Sequence, residues 1–262
     1  MRAWVRGSLP KKWEVALWGD RDRWGLSPQE SDPQWVEWLT TYGDFYEQNQ
    51  RDGVGLRVND AGYRVMRKVD LQGKIVLEVG PGDIRHSIHW RGEPSLVYLV
   101  DVNDDMLIKG VERLQNRGFE VKPIKSKRKP IDLPLPDNSI DVIVSFYSLE
   151  HIAQLRVYLR ELRRVLHPEG VLVGAIPTEG SLAWGVGRML TSRRWFLKNT
   201  SIDPDKIICW EHPNFGDAVI DALDSELQRV NVTPWPFSKA PFDTNLVIKF
   251  VYRKPDSVTT NA

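Results

Sequence analysis

From residue 74 onward, short apolar runs alternate with stretches in which apolar side chains recur every three or four positions. The apolar runs predict strands and the periodic stretches predict helices, in the alternation typical of βαβ units around a parallel sheet. The expected strands are 75–79, 97–101, 120–124, 140–145, 171–176, 229–233 and 245–252. The expected helices are 84–90, 105–116, 153–166 and 217–227.

The first 70 residues have a different pattern, because charges, aromatic residues and turn signals are mixed. This mixture predicts short helices and loops without a strand, and a firmer helix over 59–69. Six of the 11 tryptophans lie in the first 38 residues, and for most of them we expect a place in the core of a small cap. We therefore divide the chain into a helical N-terminal cap (1–70), an α/β domain (71–254) with an inserted lid (178–216), and a frayed tail (255–262).

Composition narrows the possible classes of protein. With 36 basic and 35 acidic residues the net charge is +1, so no overall charge attracts the chain to nucleic acid or to an anionic membrane. The single cysteine excludes an internal disulfide and a zinc site built on paired thiolates. The histidines lack the paired spacing of metal ligands, so we predict no metal. No apolar run approaches the ~20 residues of a membrane span, and we expect a soluble, cytoplasmic protein.

The first strand runs into a glycine turn that favours binding of a nucleotide-like ligand. Gly80 and Gly82 allow the backbone to approach a ligand closely, and the amide end of the expected next helix favours an anionic group. Glu78 ends the first strand, and Asp101 closes the next strand, where an acid can accept hydrogen bonds from ribose hydroxyls. A dinucleotide site would place a third glycine where this chain has Arg85. A carboxylate just before the turn suits a cationic cofactor better than a pyrophosphate.

Four segments in the same order resemble the successive motifs of class I S-adenosylmethionine-dependent methyltransferases, particularly the type 11-like group that acts on small molecules and lipids. These segments are 76–82, 101–107, 133–145 and 161–172. The resemblance implies a Rossmann-like, doubly wound sheet of seven strands, mostly parallel with the last strand antiparallel. It also implies S-adenosyl-L-methionine as the cofactor.

The same resemblance assigns cofactor-binding residues. Glu78, Gly80 and Gly82 would surround the methionine portion, and Asp101 would hold the ribose. The remaining contacts would come from Val102, Met106, Asp132, Ser145 and Phe146. Val102 or Met106 would lie against the adenine, whereas Ser145 and Phe146 would border the sulfonium. The chain departs from the family at Ile84, where a third glycine is frequent, and at Lys129, where an acid near the adenine is frequent; Asp132 is assigned that contact instead.

Methyl transfer from a sulfonium requires alignment of the acceptor and, for a hydroxyl, removal of a proton. His151 follows the fourth strand and is the best candidate for the base, with Glu150 and Tyr147 as orienting neighbours. A Glu-His pair is frequent here in the family even where no base is needed, so a structural role stays open. Glu211 and His212 could project inward from the cap and contact the substrate. For His86 and His89 we expect packing.

Two further segments leave alternatives open. A basic loop contains Lys122, Lys125 and residues 127–129, and is either a solvated surface or a site for an anionic substrate or RNA. The aromatic and basic stretch 181–199 is either a lid or a contact with a membrane surface.

The function expected from these features is methyl transfer to a small molecule, with O-methylation of a glycan, lipid-linked sugar or related metabolite favoured. The alternatives are an RNA methyltransferase and an inactive module that keeps the cofactor site. The oligomeric state stays open.

Overall fold

The computed structural model of the chain describes residues 1–50, 53–126 and 132–255. Within these residues, seven strands form one sheet in the order β3-β2-β1-β4-β5-β7-β6. The strands are β1 (Ile75–Val79), β2 (Leu96–Asp101), β3 (Val121–Lys125), β4 (Ile140–Phe146), β5 (Leu166–Pro177), β6 (Gln228–Trp235) and β7 (Val247–Arg253). Strands β1 to β5 pair in parallel, whereas β7 pairs antiparallel with both β5 and β6. This arrangement confirms the predicted Rossmann-like sheet.

The central strands are buried on both faces, which explains their nearly continuous apolar sequences. In β1, Leu77 and Val79 belong to the core on one face of the sheet, whereas Val76 belongs to the core on the other face. This alternation follows from the two-residue period of a strand. All parallel strands present their carboxyl ends at one edge of the sheet, where ligands bind in this class of fold.

The helices that the structure describes are α1 (Lys11–Trp18), α2 (Arg21–Trp24), α3 (Pro33–Gln50), α4 (Gly53–Tyr63), α5 (Asp104–Gln115), α6 (Leu155–Val165), α7 (Leu182–Leu190), α8 (Ser192–Asn199), α9 (Pro204–Glu211) and α10 (Gly216–Glu226). Helices α6 and α10 cover one face of the sheet, and α4 and α5 contribute to the core on the other.

Two predicted helices differ from the structure. The helix expected over 84–90 is a five-residue 3₁₀ turn, Arg85–His89, which follows Ile84 in the left-handed conformation (φ 50°, ψ 35°). The glycine turn is therefore followed by a 3₁₀ turn and not by the α-helix whose amide end was expected to face it. The helix expected over 59–69 ends at Tyr63 and continues as a 3₁₀ turn, Arg64–Lys68. Helix α3 was expected to be short, yet it is 18 residues long.

Helices from two distant parts of the chain share a separate hydrophobic core. It contains Trp35 and Trp38 of α3, Trp210 of α9 and Phe196 of α8, all buried. Helix α1 packs against α7, and the buried Trp18 donates its indole N–H to the carbonyl oxygen of Ser181 at 3.0 Å. Most N-terminal tryptophans were expected in the core, but only half of the six are buried, namely Trp18, Trp35 and Trp38. Trp4 and Trp13 are exposed, and Trp24 is partly buried. The division of the chain into cap, domain and lid stays a prediction.

Candidate functional site

The sheet register brings the candidate cofactor residues to one edge. Val79 lies opposite Val100 on β2 and opposite Ser145 on β4. Glu78, Asp101 and Ser145 are therefore neighbours at the carboxyl ends of three adjacent strands. This proximity results from parallel pairing alone, because each residue closes or nearly closes its strand.

The glycine turn is shaped by backbone conformations that L side chains rarely adopt. Gly80 has φ +65° and Gly82 has φ +51°. A Cβ atom on Gly80 would lie 2.6 Å from the Cβ of Ser148. Ser148 in turn donates its hydroxyl to the carbonyl oxygen of Val79 at 2.9 Å, which holds the segment after β4 against the turn. Ile84 keeps a left-handed backbone without being a glycine, which is an uncommon conformation for a β-branched residue.

Glu78 is a fully buried carboxylate next to the glycine turn. Its side chain is fully buried, and neither carboxylate oxygen has a hydrogen-bond partner among the described residues. Nε2 of His86 lies 3.1 Å from Oε1 but is not aligned as a hydrogen bond. Burial raises the pKa of Glu78, and the nearby His86 opposes that shift. A buried carboxylate in this state fits a site that receives a cationic group.

The other end of the candidate cofactor site is more open. Burial raises the pKa of Asp101, while hydrogen bonds from the backbone N–H groups of Asn103 and Val102 oppose the shift. Beside it lies a groove of about 500 Å³, lined by Leu39, Val102, Asn103, Asp104, Asp105, Lys125 and Ser126. Of the residues predicted to contact adenine, Val102 lines this groove, whereas Met106 and Asp132 do not. Met106 is partly buried and Asp132 is exposed.

His86 and Phe146 form part of an aromatic group beneath the glycine turn. Their rings are 4.7 Å apart, and the indole N–H of Trp90 donates to Nδ1 of His86 at 3.1 Å. Because Nδ1 accepts this bond, the proton of a neutral His86 ring lies on Nε2, which faces Glu78. His89 contacts Asp60, with Nε2 2.8 Å from its carboxylate. Packing was expected for both histidines, and both are buried.

Four of the five predicted catalytic and substrate residues meet in one group. Nδ1 of His151 lies 2.6 Å from the backbone carbonyl oxygen of Glu211 and 3.2 Å from its Oε2. Nε2 of His151 is 3.9 Å from the carboxylate of Glu150. The rings of His151 and His212 meet edge to face, with centroids 4.6 Å apart. His151 comes from the segment after β4, whereas Glu211 and His212 end α9.

A third carboxylate completes this group, and sequence reasoning missed it. Glu179 is fully buried and accepts hydrogen bonds from Nη1 of Arg188 at 2.8 Å and from Nε1 of Trp184 at 2.9 Å. It also pairs with Nη2 of Arg188, and its Oε2 lies 2.7 Å from Nδ1 of His212. Burial would raise the pKa of Glu179, but these cationic neighbours hold it well below its usual range. We refer to Glu150, His151, Glu179, Glu211 and His212 as the acid–base cluster.

The surroundings perturb the titration of His151 and its neighbours. Burial alone lowers the pKa of His151, but the hydrogen bond to Glu211 and the charge of Glu150 outweigh it and raise the pKa to about 9. Burial raises the pKa of Glu150 to about 7, and Oε2 of Glu150 has no hydrogen-bond partner in the described part of the chain. Burial also lowers the pKa of His212, against the attraction of Glu179. Groups perturbed in this way are typical of functional sites.

Helix α3 holds the cluster from the cap side. The indole N–H of Trp38 donates to Oε1 of Glu211 at 2.7 Å, and Oε2 of the same carboxylate faces His151. Burial raises the pKa of Glu211, but the hydrogen bonds from His151 and Trp38 lower it below its usual value. The aromatic core of the cap therefore positions Glu211, and Glu211 positions the ring of His151.

Tyr147 lies apart from the cluster. Its hydroxyl lies within hydrogen-bonding distance of the carbonyl oxygens of Val58 and Asn59 on α4, at 3.2 and 3.1 Å. Gly62 permits this packing, because a Cβ there would lie 2.2 Å from the tyrosine hydroxyl. The structure thus ties Tyr147 to α4, and does not place it as an orienting neighbour of His151.

The basic loop is only partly described. Residues 127–129, including Lys129, lie outside the described residues. Lys122 and Lys125 are exposed and pair with Glu120 at 3.4 Å and with Asp104 at 2.6 Å. Over 1–50, 53–126 and 132–255, no group of three or more histidine, cysteine, aspartate or glutamate side chains is arranged to hold a metal ion.

Part of the chain is similar in sequence to known proteins. Residues 77–174 match the family model described as a methyltransferase domain. Over 109 residues the chain is 34% identical to the ubiquinone/menaquinone biosynthesis C-methyltransferase UbiE of Shewanella sp. (strain ANA-3), a match that covers 41% of each chain. The UbiE protein of Citrobacter koseri is 36% identical over 107 residues, which are 39% of this chain and 42% of that protein. The match thus spans about two fifths of these relatives.

Solved structures with the same fold cover more of the chain. A SAM-dependent methyltransferase from Aquifex aeolicus aligns with 81% of this chain and 98% of its own, with a TM-score of 0.55 and 20% identity. The [4+2]-cyclase SpnF aligns with 87% of this chain and 98% of its own, with a TM-score of 0.58 and 12% identity. At these identities the likeness concerns the fold. The match over 77–174 and the shared fold agree with the predicted class I S-adenosylmethionine-dependent methyltransferase domain.

Proposed function

We propose that this chain, built on a class I S-adenosylmethionine-dependent methyltransferase domain, transfers a methyl group to a hydroxyl-bearing small molecule. The observation that carries this proposal is the meeting of two kinds of site at one sheet edge. Ser148 packs on Gly80 of the candidate cofactor turn, and the N–H of His151 donates to the carbonyl oxygen of Ser148 at 3.1 Å. The acid–base cluster thus begins one turn beyond the cofactor residues.

The cofactor residues have the chemistry that S-adenosylmethionine requires. The buried carboxylate of Glu78 would gain the partner it lacks by accepting hydrogen bonds from an ammonium group. Asp101 at the end of β2 would accept hydrogen bonds from ribose hydroxyls, and the apolar side chains of Leu39 and Val102 would flank the adenine. Bound S-adenosylmethionine supplies an electrophilic methyl group on a sulfonium that leaves as a neutral thioether.

On the acceptor side, His151 is oriented to accept a proton. Because Nδ1 lies 2.6 Å from the carbonyl oxygen of Glu211, the neutral ring carries its proton on Nδ1 and leaves the lone pair of Nε2 available. Nε2 would take the proton of the acceptor hydroxyl as the acceptor attacks the methyl carbon. The charge of Glu211 would stabilise the resulting imidazolium, as a carboxylate does in other histidine bases.

Two classes of acceptor suit this arrangement. The first is the hydroxyl of a glycan or lipid-linked sugar, as expected from the sequence, in which oxygen itself receives the methyl group. The second is a ring carbon that an ionised ring hydroxyl activates. The names of the curated relatives, which are C-methyltransferases, favour transfer to carbon. Both acceptors require ionisation of a hydroxyl, which is the step that His151 would assist. The predicted cytoplasmic location stays a prediction.

The direct test is transfer of a labelled methyl group to fractionated lipid, glycan and RNA extracts, followed by mass spectrometry of the labelled product. We expect label in the lipid or glycan fraction, and a large loss of rate in His151→Gln with cofactor affinity retained. The position of the label, on oxygen or on carbon, separates the two acceptor classes. Label confined to RNA would replace the proposal by the RNA alternative. Cofactor binding without transfer to any fraction would support the inactive module.

A further inference from the structure

Helix α7 presents two unlike faces. On its inner face, Gly185 packs against Leu17 of α1, and the buried Arg188 pairs with Glu179. On its outer face, the apolar side chains of Leu182, Val186 and Leu190 recur every four residues and are exposed. An apolar stripe on the solvent side of a helix is not explained by folding of this chain, because folding buries such stripes.

Two exposed tryptophans lie on segments next to α7. The backbone N–H groups of Trp4 and Leu182 donate to the two oxygens of Asp243, at 2.8 and 3.2 Å, so Trp4 lies at the start of α7. Trp13 lies one turn before Leu17 on α1, the helix that packs along α7. Trp4 is 68% exposed and Trp13 is 52% exposed, unlike the buried tryptophans of the cap core. We define the apolar patch as Trp4, Trp13, Leu182, Val186 and Leu190.

The charged side chains of α7 and α8 have one sign, whereas Trp13 lies between Lys12 and Glu14. The segment 181–200 contains no aspartate or glutamate. Two of its basic residues pair inward, Arg188 with Glu179 and Arg193 with Asp205. Arg194 and Lys198 on α8 are exposed, as is Lys12 beside Trp13. Apolar and tryptophan side chains bordered by lysine and arginine are the composition of helices that lie in the interface of an anionic bilayer.

We propose that the apolar patch docks the protein on the surface of an anionic lipid bilayer, with α7 lying in the interface. The exposed leucine, valine and tryptophan side chains would enter the headgroup region, and the basic side chains of α8 would face anionic lipid. Over 1–50, 53–126 and 132–255, no helix is long and apolar enough to cross a membrane.

Docking would also bring the acceptor to the site. The same helix that would lie in the interface carries Arg188 on its inner face, and Arg188 is linked through Glu179 to His212 of the acid–base cluster. An acceptor carried in the bilayer would then enter beside α7. This second statement rests on the proposed function, whereas the docking surface does not.

The test is flotation of the full chain with vesicles of phosphatidylcholine alone, or of phosphatidylcholine mixed with phosphatidylglycerol. We expect the unmodified protein to float with the anionic vesicles, and added salt to weaken the association. Because the change introduces two charges into the apolar patch, the double variant Val186→Glu, Leu190→Glu should reduce partition at least about tenfold. Arg194→Glu with Lys198→Glu should reduce it on anionic vesicles alone.

Val157→Glu on α6 is the matched control, because Val157 is 39% exposed and Val186 is 42% exposed. It should float like the unmodified protein. The control and the variants of α7 and α8 should bind S-adenosylmethionine as the unmodified protein does. Equal flotation of the double variant and the control, or no flotation of the unmodified protein, would overturn the proposal. So would a dimer in sedimentation that Val186→Glu dissociates while vesicles are not bound. Glu78→Ala should still float, so loss of methyl transfer with flotation intact counts against the proposed function only.

Discussion

The two sides of the sheet edge are built in different ways. On the cofactor side, Glu78, Gly80 and Asp101 belong to strand ends and to one turn, and parallel pairing alone brings them together. The acceptor side is formed by four residues from distant segments, Trp38, His151, Glu179 and Glu211. They meet only through tertiary contacts of α3 and α9 with the segments after β4 and β5. The residues of a site of the first kind can be identified from local sequence motifs. A site of the second kind depends on tertiary packing, and its residues carry little meaning until that packing is known.

The largest effect is expected on the acceptor side. Glu179→Ala would leave the buried guanidinium of Arg188 without its carboxylate, and we expect a loss of about 3–5 kcal/mol in the free energy of unfolding. Urea denaturation measures this loss. The double variant Glu179→Ala, Arg188→Met removes both charges and should recover much of it. A loss below about 1 kcal/mol in the single variant would contradict a tightly coupled cluster.

On the cofactor side, affinity and stability should change in opposite directions. Glu78→Gln removes a buried charge that has no hydrogen-bond partner among the described residues, so thermal stability without cofactor should be unchanged or higher. The same variant should bind S-adenosylmethionine on the order of tenfold to a hundredfold more weakly, because a charged hydrogen bond is lost. Differential scanning calorimetry and titration calorimetry measure the two quantities.

A truncated ligand sharpens this prediction. Methylthioadenosine keeps the ribose and adenine but lacks the amino-acid portion of the cofactor. Glu78→Gln should leave its affinity unchanged, whereas Asp101→Asn should weaken the binding of both ligands. Weaker binding of methylthioadenosine to Glu78→Gln would place Glu78 elsewhere than at the ammonium end.

The proton on His151 should make stability and activity respond oppositely to pH. The pKa of His151 is raised from its usual 6.5 to about 9. The protonated ring therefore stabilises the fold fully below pH 6.5, and this stabilisation is lost as the pH rises to 9. Because 35% of the side chain is exposed, solvent screening limits this loss to on the order of 1 kcal/mol. Activity should rise over the same range, since Nε2 must be unprotonated to accept a proton.

Two profiles measure this opposition, the free energy of unfolding and kcat/KM between pH 6 and 9.5, each compared with His151→Gln. In His151→Gln, the free energy of unfolding and kcat/KM should both depend less on pH, because the contribution from titration of His151 is removed. An activity profile that is flat or falling from pH 7 to 9 would argue against His151 as the base.

The smallest effect is expected at the rim of the cofactor groove. Lys125 and Asp104 form an ion pair at 2.6 Å, but both side chains are largely exposed. Lys125→Ala should therefore change stability by less than about 0.5 kcal/mol and cofactor affinity by less than about twofold. Titration calorimetry at low and high salt tests this. A strong, salt-dependent loss of affinity would assign the basic loop a role in binding.

The sheet was predictable because central strands buried on both faces appear as continuous apolar runs, and the structure moves their ends by few residues. Helix α3 also carried a signal, since Trp35, Trp38 and Tyr42 recur at helical spacing. The 3₁₀ turn after the glycine turn could not be predicted from the sequence, because Ile84 adopts a left-handed backbone that its residue type does not predict. The place of Glu179 in the acid–base cluster could not be predicted for another reason, since its partner His212 lies 33 residues further along the chain.

The indole N–H of Trp38 on Glu211, which in turn holds His151, has a consequence for the order in which the chain matures. The cofactor turn is complete once the strands around it have paired, but the base is oriented only after a residue near the start of the chain meets one that is synthesised 173 positions later. A nascent or locally unfolded chain would thus bind the methyl donor before it could transfer the methyl group. The contact between Trp38 and Glu211 therefore makes catalysis depend on complete folding of the chain.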